Sequence, residues 1–204
     1  MNTKIDEMIV ATYLSKLSSQ ERLKVEERFE RFKELVYRYC VRARRMPITD
    51  VKMCSVGATW DGSTMLIGVK MLHRHTWQGL QLIAGHEVGH ALSQYGRGRE
   101  VIDGKMSAWD TIDSEYFADC VSLDLCKSLT VYDWAKGMIG ALKIDGVSAA
   151  DLDCGGDLLD IRYDKLLADA ARGHVKMGKA LDFRSELKLN LQGYSRLNGL
   201  PPID

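Results

Sequence analysis

Along SQERLKVEERFERFKELVYRYCVRARRM, apolar residues fall near helical spacing at Leu23, Phe29, Phe32, Leu35, Val36, Tyr39 and Cys40, which predicts one long amphipathic helix. Ser18 followed by Glu21 is a capping box at its start, and Pro47 lies just past its end, so the helix is placed over 19–45. The pattern then changes period. VKMCSVGATW and STMLIGVKML are β-rich runs on either side of Asp61-Gly62, a dipeptide suited to tight reversal, and predict a hairpin over roughly 51–72. Helical periodicity returns from Thr76 to Tyr95 and stops at Gly96 and Gly98. A looser stretch, 96–107, leads to a helix near 110–129. Thr130 with Asp133 caps another over 131–142. A glycine-containing loop, 145–157, precedes a helix near 157–181, and the tail NLQGYSRLNGLPPID reads as turn-rich and poorly ordered. The class expected is α+β, mostly helical with a small antiparallel sheet. It divides into an N-terminal helical segment, 1–45, that could cover or present a cleft, and a main domain, 46–204.

Composition narrows the partners. Basic and acidic residues both number 28, so no global field favours nucleic acid or an acidic membrane. The opening MNTKIDEMIVATYLSKLSSQ places Asp6 and Glu7 where a secretion signal would be basic and then apolar. No apolar run approaches the roughly 18–20 residues of a membrane helix. Cys40, Cys54, Cys120, Cys126 and Cys154 are odd in number and lack a CxxC pair, which argues against a disulfide framework and a cysteine zinc knuckle. A cytoplasmic protein without membrane or nucleic-acid partners is expected.

Candidate chemistry centres on AGHEVGHAL, Ala84 to Leu92. Four residues apart on a helix, His86 and His90 lie one turn apart on one face and can grip a single cation, while Glu87 beside them can take a proton from water activated there. Gly85 and Gly89 within this helix each cost about 1 kcal/mol relative to alanine, so close approach of another backbone is expected. In DSEYFADCVSLDL on the next helix, Glu115 can complete a site of two histidines and one carboxylate. Asp119, four residues on, can accept the remaining N–H of a ligand histidine.

HEVGH followed by E-Y-F-A-D resembles the HExxH and ExxAD pair of the gluzincin zinc metallopeptidases. The resemblance implies a zincin-like fold, Zn2+ on His86, His90 and Glu115, Glu87 as general base, and Asp119 supporting the first histidine. It further implies a protein or peptide substrate and an upstream strand, here 63–72, that aligns an extended chain. An oxyanion-stabilising group is also needed; His174 ranks first, ahead of His73, His75, Tyr95 and Tyr116, with Arg172 and Lys176 nearby. The match spans His86 to Asp119 only, and the chain is too short for the two-domain layout of the large members. Two alternatives stand beside it: a metal-binding regulatory protein that does not cut, and an interaction protein working through helix 19–45, with Leu35 and Tyr39 on its contact face.

Overall fold

Ser18 opens the long helix as expected: its hydroxyl accepts from the Glu21 N–H while the Glu21 carboxylate accepts from the Ser18 N–H, closing the capping box. The computed structural model describes residues 3–44, 48–55, 57–60, 62–96, 108–145 and 157–198. Helix α1 spans Thr3–Ser15 and α2 Ser19–Arg42. Val25, Phe32, Leu35, Val36, Tyr39 and Cys40 of α2 are buried in the main hydrophobic cluster, so α2 is a wall of the core. Leu35 and Tyr39 therefore cannot form a contact face for a partner.

Three short strands follow: β1 Asp50–Cys54, β2 Ala58–Trp60 and β3 Thr64–Gly68. The hairpin around position 61 is present between β2 and β3, but the sheet is mixed instead of antiparallel. Its order is β1-β3-β2, with β3 parallel to β1 and antiparallel to β2. VKMCSVGATW holds two strands because the chain turns between them at Gly57, whose φ of +68° suits glycine. The second run is likewise divided. Gly68 ends β3 and caps α3, Val69–Arg74, whose Val69, Met71 and Leu72 sink into the core.

Helices α4 Trp77–Gly96, α5 Ala108–Leu125, α6 Val131–Asp145, α7 Asp157–Ala171 and α8 Phe183–Asn198 complete the described fold. Helix α4 is its hub, since α2, α5, α6 and β2 all pack on it. Thr130 and Asp133 cap α6 reciprocally, as their spacing suggests. The helix placed over 157–181 ends at Ala171, where the chain turns through Gly173 at φ +79°. The last helix runs through residues 183–198, so the first part of the tail expected to be irregular, 190–198, is helical. Asp182 caps that helix through the Ser185 N–H, while Phe183 and Leu187 are buried, Phe183 packing against Trp134 and Tyr163 with ring centroids at 5.6 and 4.6 Å. Among the described residues no helix is long and apolar enough to cross a membrane. The stretch 97–107, the loop 146–156 with Cys154, and the side chains of Tyr95 and Trp109 lie outside the described residues.

Candidate metal centre

Two helices build the site because their backbones nearly touch. A Cβ on Gly85 would lie 2.8 Å from Ser122 Cα, and one on Gly89 only 2.6 Å from Ala118 Cα. Both glycines of the motif thus admit α5 against α4, which explains their cost in helix propensity. The Ser122 hydroxyl stitches the same contact by donating to the Leu82 carbonyl at 2.7 Å. That crossing brings Glu115 over the histidine pair.

His86 Nε2 and His90 Nε2 stand 3.0 Å apart, and each is 3.2 Å from a different oxygen of Glu115. A tetrahedral ion with bonds of about 2.0–2.2 Å holds its donor atoms about 3.3–3.5 Å apart, close to the 3.0 Å between the two imidazole nitrogens and the 3.2 Å from each to its own Glu115 oxygen. They form the group among the described residues that can hold a metal ion. Two imidazoles and a carboxylate suit zinc and other divalent transition ions, and would be a poor choice for calcium or magnesium.

The surroundings aim these donors. Asp119, almost fully buried, accepts from His86 Nδ1 at 2.9 Å, which leaves the Nε2 lone pair directed at the trio. The Ser114 hydroxyl stands 3.5 Å from His90 Nδ1, at the far limit of a hydrogen bond. Arg162 of α7, 4% exposed, meets Asp119 with two 2.8 Å hydrogen bonds and reaches Glu115 Oε2 at 3.2 Å through its remaining nitrogen. Burial alone would raise the Asp119 carboxyl; Arg162 and His86 instead hold it below the ordinary range. Glu115 behaves alike, with His86, His90 and Arg162 overcoming burial and holding it far down. Burial disfavours the His86 imidazolium, yet the hydrogen bonds to Asp119 and Glu115 prevail and carry its pKa up to about 10. A cation that enters must displace that proton.

Glu87 is 6% exposed and stands apart from the trio. Burial raises its carboxyl, with the neighbouring histidines and, more weakly, the Trp60 main chain of β2 pulling the other way. The register sets the direction of the Trp60 main chain. The Gly68 N–H donates to the Gly57 carbonyl at 2.7 Å, which puts the main-chain groups of Ala58 and Trp60 on the outer edge of the sheet, away from β3.

Other sequence candidates lie elsewhere. His174, in the turn after α7, meets Asp169 at 3.4 Å with its side chain 65% exposed, and none of the trio is among its partners. Tyr116 donates its hydroxyl to the same Asp169, which also accepts from Arg172 at 2.5 Å. Lys176 donates to the Lys127 carbonyl at 2.7 Å. His73 Nδ1 pairs with the Tyr13 hydroxyl at 2.8 Å, and His75 is buried in a pocket of its own. The strand 63–72 is also not where a substrate could add: β3 is central and paired on both sides, whereas β2 is an edge. Arg162 was missed because it shares no local pattern with the motif and is one of several charged residues along its helix.

Compared with known protein families, curated proteins and solved structures, the chain matches none.

Proposed function

We propose that this chain is a zinc-dependent peptidase of the compact gluzincin type, with His86, His90 and Glu115 as metal ligands and Glu87 as general base. The observation that carries the reading is the convergence of ligand atoms from His86, His90 and Glu115 within 4.8 Å of one another, beside a buried carboxylate that is not one of them. When bound, zinc supplies Lewis-acid chemistry, polarising a carbonyl and acidifying water.

The chain's own residues supply the remainder. Glu87 lies beside the Trp60 main chain of β2, and burial raises its proton affinity, as a general base requires. Glu87 takes the proton of the attacking water on its carboxylate and returns it to the departing amine. Asp119 keeps His86 in one tautomer throughout. The outer edge of β2, beside α4, offers Ala58 main-chain groups to an extended peptide, which is the recognition mode a sheet edge permits. Among the described residues Cys40, Cys54, Cys120 and Cys126 form no disulfide, which supports a reducing, cytoplasmic setting.

Zinc-loaded protein and a Glu87→Gln variant, assayed on a fluorogenic peptide library, test the reading. The variant is expected to keep its zinc and lose on the order of 10²–10⁴ in rate. Hydrolysis unchanged by the substitution, or no hydrolysis by zinc-loaded wild type, would leave a metal-binding protein that does not cut.

A further inference from the structure

We infer that Arg162 is a positioning residue that fixes the two carboxylates of the metal centre, so that Glu115 presents its oxygens to the histidine pair and Asp119 stays on His86. The inference rests on the metal-binding half of the proposed function and extends it to a side chain outside the motif.

The guanidinium serves two carboxylates at once. Its Nε and one terminal nitrogen grip Asp119 at 2.8 Å each, and its other terminal nitrogen stands 3.2 Å from Glu115 Oε2. Asp119 in turn holds His86 Nδ1, so Arg162 constrains Glu115 directly and His86 through one intermediary. Only a planar fork reaches both acids in fixed geometry; a lysine ammonium supplies the charge but not the fork. The Arg162 guanidinium also faces an aromatic ring, its carbon lying 5.7 Å from the centre of the buried Trp134 ring.

Charge makes the same point. Glu87, Glu115 and Asp119 gather three carboxylates around the histidine pair, and Arg162 sets one positive charge against Glu115 and Asp119. Without the arginine, only the His86 ring would stand between the Glu115 and Asp119 carboxylates. Repulsion would then turn Glu115 off the line set by His86 Nε2 and His90 Nε2.

The test is metal affinity by chelator competition, with the visible spectrum of the Co2+-substituted protein as a readout of ligand geometry, on wild type, Arg162→Lys and Arg162→Gln. Circular dichroism checks folding. Because Arg162→Gln leaves Asp119 buried without its cation, an Arg162→Gln/Asp119→Asn pair is included to relieve that charge. Both glutamine variants are expected to bind zinc about 10–100-fold more weakly, the usual cost of losing an outer partner of a metal ligand, with the lysine variant between them and wild type. The Co2+ bands are expected to shift in the glutamine variants. Folded variants with wild-type zinc affinity and an unchanged Co2+ spectrum would reduce Arg162 to a structural ion pair and overturn the inference. Failure of wild type to bind either ion would instead overturn the metal centre on which it rests.

Discussion

A glycine is the residue on which the site's geometry turns. Alanine at 89 would place its methyl 2.6 Å from the Ala118 main chain, where no side chain can yield. Its gain in helix propensity, about 1 kcal/mol, is smaller than the cost of overpacking. Gly89→Ala is therefore expected to destabilise the fold by about 1–3 kcal/mol in chemical denaturation, and to weaken zinc binding because α5 carries Glu115 away from His90. A variant as stable as wild type would mean that the helices do not cross so closely. At this scale much was legible in the sequence. His86, Glu87 and His90 share one short helical stretch, Asp119 follows Glu115 by one turn, and spacing alone puts each pair together. Arg162 was not legible, because it meets those residues through tertiary packing of α7 on α5, and periodicity carries no record of which helices pack.

His75 joins two elements, and its fate is pH-dependent. It closes α3, its ring fills the space left by Gly79 and Gly140, and Arg28 of α2 holds its carbonyl at 2.5 Å. Its Nε2 is buried without a hydrogen-bond partner. Burial, helped by Arg28, depresses the imidazole from 6.5 to about 4. The unfolded chain takes up the proton near 6.5 and the folded chain does not until about 4, so this contribution is complete above pH 6.5 and is lost as pH falls through that window. The drop is about 3 kcal/mol between the two pKa values, and His75→Asn is expected to flatten that part of a stability-against-pH curve. An unchanged slope in the variant would remove His75 as the cause. Element boundaries were legible where side chains cap backbone, as at Ser18 and Thr130. They were not legible where burial decided them. Residues 183–198 carry Asn190 and Gly193, which read as turn formers, but burying Phe183 and Leu187 outweighs that preference.

The whole molecule is organised around α4, with α2 as one of its walls. Removing 1–45 would strip Val25, Phe32, Val36 and Cys40, each fully buried, from the core. Such a truncation is expected to be unfolded by circular dichroism, and a folded, soluble product would show that the N-terminal segment is separable. The helical majority and the presence of a small sheet could be anticipated from period and turn chemistry. The parallel pairing of β1 with β3 could not, since a strand's apolar pattern does not name its neighbour.

The central claim is that α4 and α5 together make a zinc site, and metal content measures it directly. Purified untagged protein, reconstituted with zinc and dialysed, is compared by elemental analysis with a Glu115→Ala variant shown to be folded. About one zinc per chain in wild type, with most of it lost from the variant, is the expected result. Zinc absent from both, or retained equally in both, would contradict the claim and return HEVGH to the standing of an ordinary buried helix.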